Sequence, residues 1–262
     1  MENETIQARP AGFFRDVTTV AGRALRAIPR EPEAILPALI IPIFFFIVNT
    51  GALSKVSSFA GINDYKAFQL PVSIVFAVTG ISRASALVTD IKSGYFDRLL
   101  MTPISRVSLL LGLMVADFTL VIALSIPVVI LGFVVGVSFT TGILGILGFL
   151  LISGLWGLAF TGFPYAIALK TGNPAAVNSA FLLFFPFSFL TTSFLPKEAL
   201  SGWLATASDY NPVTYLLAGL RAIISTGWVW QDISRALIAI AIILAISFTL
   251  AFSALKGRVS RK

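Results

Sequence analysis

Residues 108–134 read SLLLGLMVADFTLVIALSIPVVILGFV, an apolar run interrupted by one charge, Asp117. At 1.5 Å per residue, a helix of this length exceeds the ~30 Å hydrocarbon core of a bilayer. Five more apolar blocks occur at 34–53, 67–89, 142–169, 175–195 and 234–255, each about 20 residues or longer. The whole chain has 262 residues, of which 57% are hydrophobic and 12% charged, with a mean hydropathy of +0.92. Soluble domains carry about 25% charge, so no water-soluble core accounts for these values. A β-barrel would alternate faces in segments of about ten residues, and these blocks do not alternate. Helices remain, because a bilayer offers no water to satisfy backbone groups. The expected fold is an all-α polytopic membrane protein with six transmembrane helices.

The distribution of Lys and Arg orients the spans. Arg9, Arg15, Arg23, Arg26 and Arg30 precede the first span. Lys92, Arg98 and Arg106 follow the second, Lys170 the fourth, and Lys256, Arg258, Arg261 and Lys262 the sixth. The other side holds only Lys55, Lys66, Lys197, Arg221 and Arg235. By the positive-inside rule both termini face the cytoplasm, in the cell membrane. The formal charge of +7 sits in these short flanks, where topology and anionic lipid explain it and nucleic acid is not implied. The acidic, polar start Met-Glu-Asn-Glu-Thr is unlike a secretory signal, so no cleavage is expected.

Two regions outside the spans are apolar without being crossings. In 11–30, Phe13, Val17, Val20, Ala24, Leu25 and Ile28 fall on one helical face, and Arg15, Asp16, Arg23, Arg26 and Arg30 on the other. Such an Arg-rich amphipathic helix suits the inner membrane interface, with Pro29 and Pro32 ending it. Packing on a protein partner is the alternative. The outer segment 196–233 carries Trp203, Tyr210, Tyr215, Trp228 and Trp230 among aliphatic residues. Asn211-Pro212 reads as a helix start, with Asn as cap. Short helices dipping into the outer leaflet between spans five and six are therefore expected.

The residue types narrow the chemistry. With no Cys and no His, disulfides, thiol chemistry, a Ser-His-Asp set and Cys/His metal sites are all excluded. No Gly-x-x-x-x-Gly-Lys-Ser/Thr occurs, so the chain has no P-loop of its own. The few acids lie mostly at span boundaries, and no catalytic residues or metal ligands are assigned. Ionisable groups inside spans carry a functional default because their burial is costly. Arg83 in span two and Asp117 in span three lie at similar depth, about 10–14 Å below the inner surface at 1.5 Å per residue. They are expected to pair or to share a polar region; a purely structural ion pair or a snorkelling Arg is the alternative.

The inner loop 90–107 begins Asp-Ile-Lys-Ser-Gly-Tyr-Phe-Asp-Arg-Leu-Leu-Met-Thr-Pro-Ile-Ser-Arg. Residues 95–101 can form a short helix stopped by Pro103. Its mixture of Tyr95, Phe96, Leu99 and Leu100 with Asp97 and Arg98 has the composition of a docking surface.

At this loop the chain resembles the permease subunits of ABC-2 type exporters, the daunorubicin-resistance-like group. Their loop after the second span has Gly-Thr-x-Glu-Arg-Leu-x-x-Thr-Pro-x-Ser-Arg; Gly94, Asp97, Arg98, Leu99, Leu100, Thr102, Pro103, Ser105 and Arg106 match its spacing. Asp97 replaces the usual Glu, and Tyr95 the usual Thr. A second match runs through Phe185-Pro186-Phe187-Ser188-Phe189-Leu190, Ser193-Phe194-Leu195-Pro196, Trp203-Leu204 and Asn211-Pro212-Val213-Thr214-Tyr215 to Leu220-Arg221. Gly202 stands where the family has Pro, and Ala218-Gly219 lacks its common acid.

The resemblance covers nearly the whole chain. It implies a cytoplasmic tail with its interfacial helix (1–33) and a six-span ABC-2 domain (34–262). It also implies a dimer with a second permease copy, each docked to a cytoplasmic ATP-binding subunit that holds ATP and Mg. Gly94, Asp97, Arg98, Leu99, Leu100, Pro103 and Arg106 would couple to that subunit, and cargo would pass between permeases. This chain itself would then hold no cofactor and would not be an enzyme. Known cargoes of such exporters include drugs, lipids and glycans, and the sequence selects none of them. A self-sufficient secondary transporter or channel is the competing class, but no internal repeat or coupling-ion cluster favours it.

Overall fold

The structure is a computed structural model that describes residues 12–30, 32–53, 61–79 and 82–260. Arg9, Lys55, Arg261 and Lys262, counted above in the charge bias, and the whole of residues 1–11 lie outside the described residues. The described residues are all-helical, with no strand. Five helices are long and apolar enough to cross a membrane: Ile35–Leu53, Tyr65–Lys92, Arg106–Val135, Gly142–Thr171 and Trp230–Arg258.

In chain order the helices are α1 (Phe13–Ala27), α2 (Pro32–Leu53), α3 (Tyr65–Thr79), α4 (Ala84–Lys92), α5 (Tyr95–Leu100) and α6 (Arg106–Val135). Then follow α7 (Gly142–Thr171), α8 (Pro174–Phe189), α9 (Gly202–Asp209), α10 (Pro212–Arg221) and α11 (Trp230–Ser260). The second apolar block is thus two helices, α3 and α4, with Ser82 and Arg83 in the non-helical break between them. The block expected as a fifth span, 175–195, is helical only over Pro174–Phe189. Those 16 residues cover about 24 Å at 1.5 Å per residue, short of a full hydrocarbon core.

α3 is the central element: all but Lys66 and Phe68 in it are buried. α2 is peripheral, and Leu36, Ile40, Ile41, Phe44, Ile47 and Val48 on it are exposed. The most extensive helix packing among the described residues is between α7 and α11, and small residues permit it. A methyl added at Gly162 would come within 2.6 Å of the Ser247 backbone, and the Ser247 hydroxyl donates to the Ala159 carbonyl at 2.5 Å. Small residues that let backbones approach are the usual device of helix association in lipid.

Two apolar clusters result. One gathers α3, the C-terminal half of α6, the N-terminal half of α7 and α10, with Leu70, Ile74, Trp156, Leu216 and Leu217 fully buried. The other joins α1, α4, α5 and the facing halves of α6, α7 and α11, around Leu87, Met114 and Leu169. The break at Ser82–Arg83 falls between the two clusters.

α1 forms where the amphipathic pattern places it, and part of it packs on α6. Val20 and Ala24 are buried against α6, and Gly112 permits the approach: a methyl there would meet Val20 Cβ at 2.6 Å. Asp16, on the charged face by periodicity, is buried, whereas Phe13 and Phe14 are exposed. The covering helix α6, rather than α1's own pattern, decides which face is inside.

Candidate functional site

The break between α3 and α4 is built by a residue from another helix. Asp117, fully buried on α6, accepts the Arg83 backbone N–H at 3.0 Å through Oδ1 and 3.3 Å through Oδ2. The Ser82 hydroxyl reaches the same carboxylate at 3.5 Å, and Ser82 Oγ accepts the Ala84 N–H at 3.1 Å. Arg83 is the N-cap residue of α4 and its own side chain does not cap. The carboxylate therefore occupies the position where a helix leaves amides unsatisfied and where its dipole favours negative charge. Tyr165 on α7 is fully buried beside Asp117. The structure thus brings residues 83 and 117 into one polar site, and the bond that joins them comes from the Arg83 main chain.

From this buried end α4 runs to Lys92, and Gly94 turns the chain into α5. Gly94 has φ 72°, a left-handed conformation suited to Gly. Phe96 anchors α5 in the core, with Leu99 and Leu100 half-buried against it. Asp97 is half-buried, while Arg98, Met101, Thr102, Pro103, Ser105, Arg106 and Val107 are exposed. Met101, at 80% exposure, is the most open apolar side chain of this face. Ser105 caps α6, accepting the Ser108 N–H at 3.0 Å.

α1 is tied to the same unit. Arg23 donates to Asp90 Oδ2 at 2.9 Å, and its guanidinium lies 4.8 Å from the Tyr95 ring centroid. One Arg thus contacts the end of α4 and the start of α5. Neither partner was evident from the sequence, where Arg23 counted toward a charged face and the charge bias alone.

A second polar cluster lies past the end of α8. Asn211 accepts the Val213 N–H with Oδ1 at 3.0 Å, capping α10. Its Nδ2 donates to the Phe187 and Leu190 carbonyls at 2.7 and 3.0 Å. Arg221 donates to the carbonyls of Phe68 and Thr192 at 3.1 and 2.8 Å and to Thr192 Oγ1 at 3.2 Å. Its guanidinium stacks 3.4 Å above the Phe68 ring. Gln69 Nε2 donates to the Ser193 carbonyl at 2.9 Å. The non-helical turn after α8 therefore has its carbonyls satisfied by side chains, the condition for irregular backbone at membrane depth. Sequence reading assigned Asn211 its cap and left this use of its amide group unseen.

Among the described residues, no group of three or more His, Cys, Asp or Glu could hold a metal. A mainly apolar hollow of about 270 Å³ opens beside the break, between α2, α3, α7 and α8, with Thr79, Ser82, Ser85 and Asn178 in its wall. The Ser85 hydroxyl donates to Asn178 Oδ1 across it at 3.3 Å.

A bundle of long apolar helices with a broken helix capped inside it defines a multi-pass membrane protein. The chain belongs to the ABC-2 type transporter family, which it matches over residues 15–225. It is 25% identical over 214 residues to the daunorubicin resistance ABC transporter permease protein DrrB1 of Streptomyces coeruleorubidus, covering 80% of this chain and 75% of that one. It is 22% identical over 212 residues to the probable doxorubicin resistance ABC transporter permease protein DrrC of Mycobacterium tuberculosis, covering 80% and 76%. The putative transport permease ycf38 of Cyanophora paradoxa is 26% identical over 232 residues, covering 84% and 78%. The family is the membrane permease component of ABC transporters; it works with ATP-binding subunits, often as dimers, and has no cofactor of its own.

Proposed function

We propose that this chain is the membrane-spanning permease subunit of an ATP-driven exporter in the cell membrane, with both termini cytoplasmic. Two permease copies would form the path between them, and each would dock a separate ATP-binding subunit that supplies ATP and Mg. The unit 1–33 would be the cytoplasmic tail with its amphipathic helix. The unit 34–262 would be the transmembrane domain, in which α8 with the turn after it makes the fifth of six crossings and 196–233 lies in the outer leaflet. The docking residues would be Gly94, Asp97, Arg98, Leu99, Leu100, Pro103 and Arg106. The chain itself is then a conduit and not an enzyme.

One observation carries this reading. The exposed face beside α5 is connected, through Gly94 and the short helix α4, to the Asp117-capped break inside the bundle. A push on α5 would reach Arg83 and Asp117 along one short helix. The exposed apolar rows of α2 and Phe185, Phe187 and Phe189 of α8 supply a surface for the second copy. The apolar and hydroxyl-bearing wall beside the break suits amphipathic cargo.

The test is co-purification in detergent with a soluble P-loop ATPase encoded in the adjacent reading frame. A stable complex is expected, lost on combined charge reversal D97R/R98E and retained when exposed charges of the outer segment such as Lys197 are reversed. Absence of any complex with the unaltered chain would favour a self-sufficient transporter instead.

A further inference from the structure

A cavity of about 840 Å³ runs between α7, α8 and α11; it shares Phe160 and Ala180 with the hollow beside the break and has no residue of α2 in its wall. Its wall is apolar except for Lys170, Thr171, Ser253 and Arg258. All four lie in the last turns of α7 and α11, at one end of the groove. Trp156 and Ile243 mark the other end. From Trp156 to Lys170 is about 21 Å along α7 at 1.5 Å per residue. The groove is therefore long, apolar along its length and cationic at a single end. No carboxylate lines it among the described residues.

Arg258 is held rather than free to snorkel away. One of its terminal nitrogens donates to the Leu169 carbonyl at 3.0 Å, in the last turn of α7. Its buried Nε has no hydrogen-bond partner among the described residues. A guanidinium fixed by one edge keeps donors for a bound anion, and Arg presents them in the planar geometry that phosphate oxygens match. Lys170 beside it is exposed and adds a second positive charge.

We propose that this groove binds an anionic phospholipid, with the phosphate on Lys170 and Arg258 and one acyl chain laid along α7 toward Trp156. Charge complementarity selects this occupant. A neutral lipid or a helix of a second copy would use the apolar wall but leave the cationic end without a partner. Basic pockets between transmembrane helices are suited to anionic head groups, and apolar burial of the chain adds to the attraction.

Trp156 reports on the far end of the groove. In full-length protein with W203F, W228F and W230F, Trp156 is the sole tryptophan, since the chain has four. The protein is placed in nanodiscs with lipid brominated along its acyl chain, as phosphatidylglycerol or as phosphatidylcholine. Half-maximal quenching is expected at about a tenfold lower mole fraction of the anionic lipid, because each nearby cation contributes a several-fold preference. K170A/R258A should bring the two lipids to the same mole fraction, and A254F, which fills the groove, should weaken quenching by both. Equal quenching by the two lipids in the protein with Lys170 and Arg258 intact overturns the proposal without need of any groove variant. Quenching by neither lipid overturns it also, and assigns the groove to protein. A preference that survives K170A alone and K170A/R258A would place the anion elsewhere and sink it as well. Docking of the ATP-binding subunit is untouched by these outcomes, so the permease reading stands or falls separately.

Discussion

The carboxylate of Asp117 accepts the backbone N–H of Arg83 from a different helix, at 3.0 and 3.3 Å. Most helix caps come from the residue that starts the helix. Here the cap of α4 is borrowed from α6, so the start of α4 and the middle of α6 are fixed to one another. A break in a spanning helix would otherwise leave amides with no water to meet them. The sharing ties the start of α4 to α6 at Asp117, alongside its Ser85–Asn178 bond to α8 and the Arg23–Asp90 pair with α1.

Replacing the cap should therefore cost stability in graded fashion. D117N keeps one carbonyl acceptor and is expected to lose about 1 kcal/mol, while D117L leaves the Arg83 amide unmet and is expected to lose about 1–3 kcal/mol. Thermal unfolding in detergent, followed by circular dichroism, reads the difference. A D117L protein as stable as the parent would show that the contact contributes nothing.

Arg23 offers a test of whether α1 and α4 move together. The chain has no Cys, so an R23C/D90C pair stands alone. A short bifunctional thiol reagent should link it in high yield, given a native side-chain contact of 2.9 Å. If α1 and α4 travel as one unit, the link leaves the proposed transport intact. A link that stops transport would show that the two separate during the cycle. Stability should hardly change on R23A, by about 1 kcal/mol at most, because the pair is partly exposed.

Much of this architecture was legible in the sequence, and the misses share one cause. The apolar block at 108–134 became α6 (Arg106–Val135) and the block at 142–169 became α7 (Gly142–Thr171), with ends set by local signals: Ser105 as cap, Gly136 and Gly172 in left-handed conformation. Hydropathy could not see that α8 stops at Phe189, because the carbonyls beyond are satisfied by Asn211 and Arg221, over 20 residues away in the chain. Nor could it see the break before α4, since the residue that satisfies it belongs to α6. Periodicity put Asp16 on the charged face of α1 but carries no information about which face α6 would cover. For the candidate site, residue types marked 83 and 117 as unusual, whereas a main-chain donor leaves no trace in residue type. Local rules wrote the helices, and long-range polar bonds wrote their interruptions.

Gly162 should tolerate no side chain. Even a methyl would meet the Ser247 backbone at 2.6 Å, and neither rigid backbone can yield cheaply in a close-packed pair. G162A is expected to cost about 1–3 kcal/mol and G162V more, with loss of the Ser247–Ala159 bond. Half-buried Gly22, where an added methyl meets nothing within 4 Å, is the control, and G22A should be neutral or slightly stabilising through helix propensity. Equal effects at the two sites would remove the argument that α7 and α11 are held by close approach.

Asn211 separates two roles within one side chain. Its Oδ1 caps α10 through the Val213 amide, and its Nδ2 supplies the Phe187 and Leu190 carbonyls. N211A removes both and is expected to cost about 2–4 kcal/mol, from a lost cap and two unmet carbonyls. N211D keeps an acceptor for the cap but turns a carboxylate oxygen toward the two carbonyls, which repel it. If the donor role dominates, N211D should be at least as damaging as N211A despite being the better cap. If capping dominates, N211D should approach the parent. R221K adds an independent reading, since Lys cannot reproduce the guanidinium's simultaneous bonds to Phe68 and Thr192. All three variants should raise the labelling rate of a cysteine placed at buried Ser193, because that turn is held only as long as its carbonyls are. Destabilisation in N211D with Ser193 still protected would mean that the damage lies in α10 and not in the turn.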